Sequence, residues 1–286
     1  MKQAAGRGAR PFIKWAGGKR QLLSQFEAFF PKRFERYFEP FVGSGAVFFH
    51  LWNQKRLPGQ VFLFDNNEEL VHAYCMVRDR LEELVDLLSI HKRNHNQEYY
   101  NIIRNLDRQV VKLDEVERAA RTIYLNRTCY NGLYRVNRKG KFNVPMGRYK
   151  NPEILNQKVL LSAREALQNT ELEVKDFREA VNIARKGDFF YFDPPYHPMS
   201  STAYFTSYTA ANFHEQDQVD LASVFTQLSD KGCLCMLSNS FTPFMLELYC
   251  KFRIEIVYAK RAINSVANKR GATKEIVVLN YDNKSC

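Results

Sequence analysis

Asp188-Phe189-Phe190-Tyr191-Phe192-Asp193-Pro194-Pro195-Tyr196 decides how this chain is read. An apolar strand that stops at an acid followed by two prolines can neither continue as sheet nor open a helix. Proline lacks the ladder N–H and pushes the residue before it into an extended conformation. The Asp193 carboxylate and the Pro194 carbonyl are therefore expected to point together beyond the strand's carboxyl end, where open α/β sheets bind ligands. Tyr196 adds a flat ring beside the two acceptors. A planar amine, with two N–H donors and a π face, fits such a trio.

Six further apolar runs surround this strand: Arg36–Phe41, Val61–Phe64, Leu172–Asp176, Cys233–Leu237, Ile254–Tyr258 and Glu275–Leu279. Helix-like segments separate most of them, so they read as parallel strands in βαβ order. The last two flank a polar, basic loop, Lys260–Lys274, and are expected to pair antiparallel. The expected fold is α/β, a Rossmann-like mixed sheet of seven strands, mostly parallel with one antiparallel edge strand. From residue 68 the pattern turns helical, with Leu81, Leu84, Val85 and Leu88 on one face. Leu133–Asn137 and Lys141–Val144 then read as a β-hairpin closed by Arg138-Lys139-Gly140. The expected organisation is a catalytic domain, residues 1–67 and 170–286, interrupted by a helical and β-hairpin recognition domain, residues 68–169.

The chain has 286 residues, 45% of them hydrophobic, enough for a substantial core. Its longest apolar runs are strand-sized, so no membrane association is expected. The basic amino-terminal arm, Met1–Arg10, leads into no signal-peptide core, and six scattered cysteines have no metal or disulfide spacing. A cytoplasmic protein without a metal is expected. Lys and Arg number 42 against 31 Asp and Glu, a formal net charge of +11. Residues 91–150 concentrate the excess, with 14 basic and 5 acidic side chains. Tyr99, Tyr100, Tyr124, Tyr130, Tyr134, Phe142 and Tyr149 are interleaved with them. Basic and aromatic side chains so mixed suit phosphate contact and base stacking.

Glu39–Gly45 follows the first strand and precedes a helical pattern. Gly43 and Gly45 would let backbone approach a ligand at a helix N-terminus. Asp65 ends the next strand, where an acid can take two ribose hydroxyls, so the pair signals an adenosine-containing cofactor. Phe12–Lys19 sets Trp15 and two lysines around paired glycines. No P-loop, no Gly-x-Ser-x-Gly elbow and no deaminase zinc motif is present. The chain also lacks the Pro-Cys dipeptide that typically carries the nucleophile of cytosine-C5 methyltransferases.

Together these segments resemble the Dam-type DNA adenine-N6 methyltransferases, the α-ordered D12 class, over nearly the whole chain. The resemblance rests on Lys14-Trp-Ala-Gly-Gly-Lys19, Glu39-Pro-Phe-Val-Gly-Ser-Gly45, Asp65-Asn-Asn67, Tyr124-Leu-Asn-Arg127, Tyr130-Asn-Gly-Leu133, Lys141–Lys150 and Asp193–Tyr196. It implies S-adenosylmethionine as cofactor, with S-adenosylhomocysteine as product, and Trp15, Lys19, Asp65 and Asp193 at cofactor-binding positions. Asp193, Pro194 and Tyr196 match the catalytic motif. Leu133, Arg135 and Pro145 match positions that read the outer base pairs of GATC. Tyr130 matches an aromatic inserted into the base stack, and Lys14 a base-contacting lysine. Asn131 and Tyr149 fall in the same DNA-binding segments, and Lys139 and Lys141 at the hairpin turn suit phosphate. Thr128-Cys129 departs from the aromatic and glycine common there, which puts the local backbone shape in question.

The activity implied is methylation of adenine N6 in double-stranded DNA, by base flipping and direct in-line attack. Ordinary carboxylate behaviour of Asp193 is expected to suffice. No obligate protein partner is evident, and a restriction-modification role stays open. Two rivals stand beside this reading: an amino-group methyltransferase of RNA or protein glutamine, and a DNA-binding regulator that has lost catalysis. Asp rather than Asn at position 193 and the basic insert disfavour a protein substrate, and intact cofactor and catalytic motifs disfavour the regulator.

Overall fold

The computed structural model describes residues 8–109, 112–199, 213–259 and 272–282. Most of the amino-terminal arm, nearly all of the Lys260–Lys274 loop and the tail from residue 283 lie outside the described residues. Seven strands form one sheet: β1 (Tyr37–Pro40), β2 (Val61–Asp65), β3 (Thr170–Val174), β4 (Phe189–Phe192), β5 (Leu234–Ser240), β6 (Arg253–Ala259) and β7 (Thr273–Leu279). Their order is β3-β2-β1-β4-β5-β7-β6. β1 pairs parallel with β2 and β4, and β4 parallel with β5. β7 is antiparallel to both β5 and β6, so the reversed strand lies between them at that edge of the sheet. The mixed, mostly parallel α/β architecture is the one the apolar runs imply.

The chain divides into two compact units. One comprises Lys19–Val42, Leu57–Asn66 and Lys175–Cys286. Its β4 is buried at all four positions, as a central parallel strand covered on both faces must be. Phe38 stacks between Phe62 and Phe190, with ring centroids 4.4 Å away on each side, so aromatic side chains run as a ladder across three strands. Leu221, Val224, Phe225 and Leu228 of the Glu215–Asp230 helix join that cluster. At the strands' amino ends Arg36 grips Asp188 with two parallel bonds, Nε to Oδ1 at 2.9 Å and an Nη to Oδ2 at 2.6 Å. At the sheet edge the Gln25 amide donates to the Tyr258 carbonyl and accepts from its N–H, each at 2.9 Å.

The other unit comprises Met1–Gly18, Gly43–Arg56 and Asn67–Val174. Helices Glu68–Asp79, Leu81–Asn94, Gln97–Asn105, Glu115–Thr128 and Gln157–Leu167 build it. Asn67, Asn96 and Asn156 each cap a helix through the side-chain oxygen, and Asp114 with Glu117 forms a full capping box. Its second core gathers Tyr100, Ile103, Tyr124, Leu125, Phe142, Val144 and Ile154. The expected hairpin exists as single bridges, Val136 to Phe142 and Cys129 to Met146, rather than as a ladder. Its closure is as read: Asn137 N–H donates to the Lys141 carbonyl at 2.8 Å, and Gly140 takes φ +71°. Asn143 N–H donates to the Arg135 carbonyl at 3.0 Å on the other side of the Val136–Phe142 bridge, so the Phe142 N–H and carbonyl point away from the facing segment. Side chains meet them there, Asp107 Oδ2 the N–H at 2.8 Å and Arg108 the carbonyl at 2.7 Å.

Candidate active site and nucleic-acid interface

In the sheet unit, Asp193 is the first residue beyond β4. Lys19, from the short turn Lys19–Gln21, lies 2.7 Å from Asp193 Oδ1 through its Nζ and is itself 4% exposed. Ser238 of β5 donates to the same oxygen at 3.0 Å. The Lys19 ammonium also sits 4.4 Å from the centre of the Tyr196 ring. The Tyr196 hydroxyl donates to Glu275 Oε2 of β7 at 2.8 Å. Thus Lys19, Asp193 and Tyr196, three of the residues singled out in the sequence, meet at the carboxyl end of β4. Among the described residues no donor reaches the Pro194 carbonyl.

The loop beyond Asp193 is held by the polar end of β5. His197 N–H donates to Asn239 Oδ1 at 3.0 Å, and Ser240 donates to the His197 carbonyl at 2.6 Å. Gln218 donates to the Pro195 carbonyl at 2.9 Å while accepting from Asn239 at 3.1 Å. Ser238, Asn239, Ser240 and Glu275 were not singled out in the sequence. The signal for the first three was three successive polar residues where an apolar strand reaches the carboxyl edge of a sheet.

Burial pushes the Asp193 carboxyl up from its ordinary range, against the pull of Lys19 and Ser238. Ordinary carboxylate behaviour, as first expected, is therefore corrected: desolvation outweighs the adjacent cation. Glu275 is likewise raised by burial, with the Tyr196 hydrogen bond and Lys19 opposing. Asp65 ends β2 as read, and its carbonyl accepts from Lys175 N–H at 3.2 Å.

In the helical unit, Gly43 (φ +49°) and Gly45 (φ +69°) take left-handed conformations at the turn into the Ala46–Asn53 helix. A Cβ on Gly43 would come within 3.0 Å of the Trp15 ring, and one on Gly45 within 2.8 Å of the Tyr74 hydroxyl. Only glycine fits both backbone and space there. Trp15 also stacks on Tyr134, at 5.6 Å between centroids.

The same unit joins the amino-terminal segment to the hairpin region. Asn126, 1% exposed, accepts from Lys14 N–H at 2.8 Å and donates to the carbonyls of Lys14 at 2.7 Å and Gly132 at 3.0 Å. Lys14 Nζ lies 4.3 Å over the Tyr149 ring. Tyr130 (53% exposed) and Tyr149 (38%) are aromatics left in solvent, and Asn131 takes φ +55°. Arg135 donates through Nε to Asn143 Oδ1 at 2.7 Å. Lys139 and Pro145 are exposed, while Leu133 and Lys141 are half-buried. The doubtful Thr128-Cys129 step is accommodated: Cys129 is extended (φ −75°, ψ 166°) and buried, and Thr128 Oγ1 donates back to the Tyr124 carbonyl at 2.6 Å. Asn126 was quoted within a motif but given no role, because a mid-helix Asn carries no mark of what it ties together.

Among the described residues no cluster of His, Cys, Asp or Glu could hold a metal, and no helix is long and apolar enough to cross a membrane. A family model for D12 class N6 adenine-specific DNA methyltransferases matches residues 15–263. A type II methyltransferase of Lactococcus lactis subsp. cremoris is 46% identical over 278 residues, covering 96% of this chain and 96% of its own. One from Methanocaldococcus jannaschii is 41% identical, over 95% of this chain and 99% of its own. The DNA adenine methylase of Escherichia coli is 33% identical, over 94% of this chain and 95% of its own.

Proposed function

Because the chain belongs to the D12 class of N6 adenine-specific DNA methyltransferases, we propose that it methylates adenine N6 within GATC, on a nucleotide turned out of the duplex. S-adenosylmethionine, when bound, supplies an electrophilic methyl on sulfur and departs as the neutral thioether S-adenosylhomocysteine. The residues present suit that group. The glycine turn at 43–45 has no room for side chains, Trp15 borders it, and Asp65 ends its strand as a ribose-binding acid should.

The placement of Asp193 carries the reading. Its carboxylate is fixed by Lys19 and Ser238 just beyond β4, and the Pro194 carbonyl is one residue away. Both oxygens accept from the two N–H groups of an adenine amine, drawing its lone pair out of the ring and aiming it in line with the methyl. Asp193 takes the proton displaced from nitrogen as the new N–C bond forms. Tyr196, steadied by Glu275, offers its ring to the flipped base, an atom of which is unreachable inside a duplex.

Residues 68–169 serve as the DNA-recognition part, and 1–67 with 170–286 as the catalytic part. Lys14 and Tyr149 stand together as base contacts, with Tyr130 and Asn131 at the base stack. Leu133, Arg135 and Pro145 read the outer pairs, and Lys139 and Lys141 meet phosphate. The reaction belongs in the cytoplasm, on double-stranded DNA.

Asp193→Ala tests this reading. The variant should bind a GATC duplex in a mobility-shift assay yet leave no N6-methyladenine detectable by mass spectrometry. Methylation near the wild-type level would overturn it.

A further inference from the structure

We propose that Tyr191 and Ser238 form a donor relay that fixes Asp193 through Oδ1 alone and reserves Oδ2 for the target amine. This deepens the function proposed above and rests on it. Register supplies the geometry. β4 and β5 run parallel with Phe192 opposite Leu237, so the next step sets Asp193 beside Ser238. Ser238 is fully buried and is the first polar residue of β5 after Cys235, Met236 and Leu237. A hydroxyl there costs free energy unless its bonds are made.

Those bonds have one consistent direction. An ionised carboxylate only accepts, so the single Ser238 proton is committed to Asp193 Oδ1, 3.0 Å away. The Tyr191 hydroxyl, 3.0 Å from Ser238 Oγ, must then be the donor to Ser238. Tyr191 is 1% exposed. Lys19 Nζ also approaches Oδ1, at 2.7 Å, so the ammonium and the Ser238 hydroxyl meet the same carboxylate oxygen. Two donors on one oxygen hold the carboxylate in place, and the relay thereby reserves the second oxygen for the amine. Ser238 and Tyr191 are positioning residues, since they act through Asp193.

The charged and titratable groups facing Asp193 are Lys19, Tyr191 and Tyr196, with Glu275 from β7 beyond them and Glu39 of β1 facing Tyr191. Removing the Ser238 donor leaves Lys19 as the one group favouring the ionised form. The raised carboxyl must then rise further, because a hydrogen bond to the charged form is lost.

The test is the pH dependence of single-turnover methylation of a GATC duplex by wild type, Ser238→Ala, Tyr191→Phe and the double variant. The double variant guards against Ser238→Ala misfolding through an orphaned Tyr191 hydroxyl. Ser238→Ala and the double variant should move the acid limb up by about one pH unit and slow the plateau about tenfold, the scale of one charge-assisted bond. Tyr191→Phe should move the limb the same way by less, and KM for DNA should hold. An unmoved limb in folded Ser238→Ala or folded double variant overturns the relay, as does a limb moved in Tyr191→Phe alone. Failure of the wild type itself to form N6-methyladenine would instead defeat the function proposed above, so the two failures are distinguishable.

Discussion

Arg135, proposed above to read an outer base pair, is held by a neighbouring side chain. Asn143 takes its Nε proton at 2.7 Å and so fixes the plane of the guanidinium. An arginine held this way presents its remaining donors as a fork, the shape that matches the O6 and N7 edge of guanine. Arg135→Ala should therefore lower discrimination between GATC and singly altered sites by about 1–3 kcal/mol, roughly a tenfold to hundredfold fall in the ratio of kcat/KM values. Arg135→Lys should fail nearly as badly, because a point charge cannot make the paired contact. An equal loss on every sequence would make it a phosphate ligand. At this scale the sequence was legible where residue type and chemistry coincide: Lys19, Asp193 and Tyr196 were singled out, and they meet. Ser238, Asn126 and Asn143 were not, because a serine or asparagine is defined by its neighbours in space, which spacing along the chain does not reveal.

Elements were legible to the extent that burial dictates their residues. Phe189–Phe192 could be nothing but a central strand. β3, by contrast, begins at Thr170, two residues before the expected start, since its half-buried, charge-bearing residues mark no sharp edge. β5 runs on to Ser240 although its apolar run ends at Leu237, because a strand stops where its partners do. The helices of the second unit are joined by a device no periodicity could reveal. His91 of the Leu81–Asn94 helix bonds the Tyr99 hydroxyl at 2.8 Å, and its ring lies 4.9 Å from that of Tyr124. Burial pulls the His91 pKa down from 6.5 to about 4. A group whose folded pKa is depressed favours the fold above its unfolded value, and that contribution is lost as pH falls toward the folded one. Thermal melts should show this unit losing up to about 3 kcal/mol between pH 6.5 and pH 4. His91→Gln should flatten that slope, and an unchanged slope would mean that another group carries it.

For the molecule as a whole, the net charge of +11 is a statement about its partner and about ionic strength. Each phosphate neutralised releases counterions, so affinity falls with salt by a slope set by the number of contacts. Replacing both Lys139 and Lys141 with Gln should reduce the slope of log Kd against log salt by about 1.8, read from titrations of one duplex at several salt concentrations. A parallel offset with the slope retained would place both lysines away from the backbone. The basic, aromatic-rich stretch 91–150 is visible in composition, in residue types that suit the phosphate and base contacts proposed above. That the amino-terminal segment is tied to Gly132 through Asn126 was not, since residues 14 and 126 are 112 positions apart. One detail of the sheet bears on how the molecule behaves in company. Strand edges invite foreign chains, yet here the outermost strand meets a glutamine whose amide imitates a neighbouring peptide at Tyr258. That mimicry blunts the template on which amyloid-like accretion would start, so a concentrated stock should stay free of fibrils.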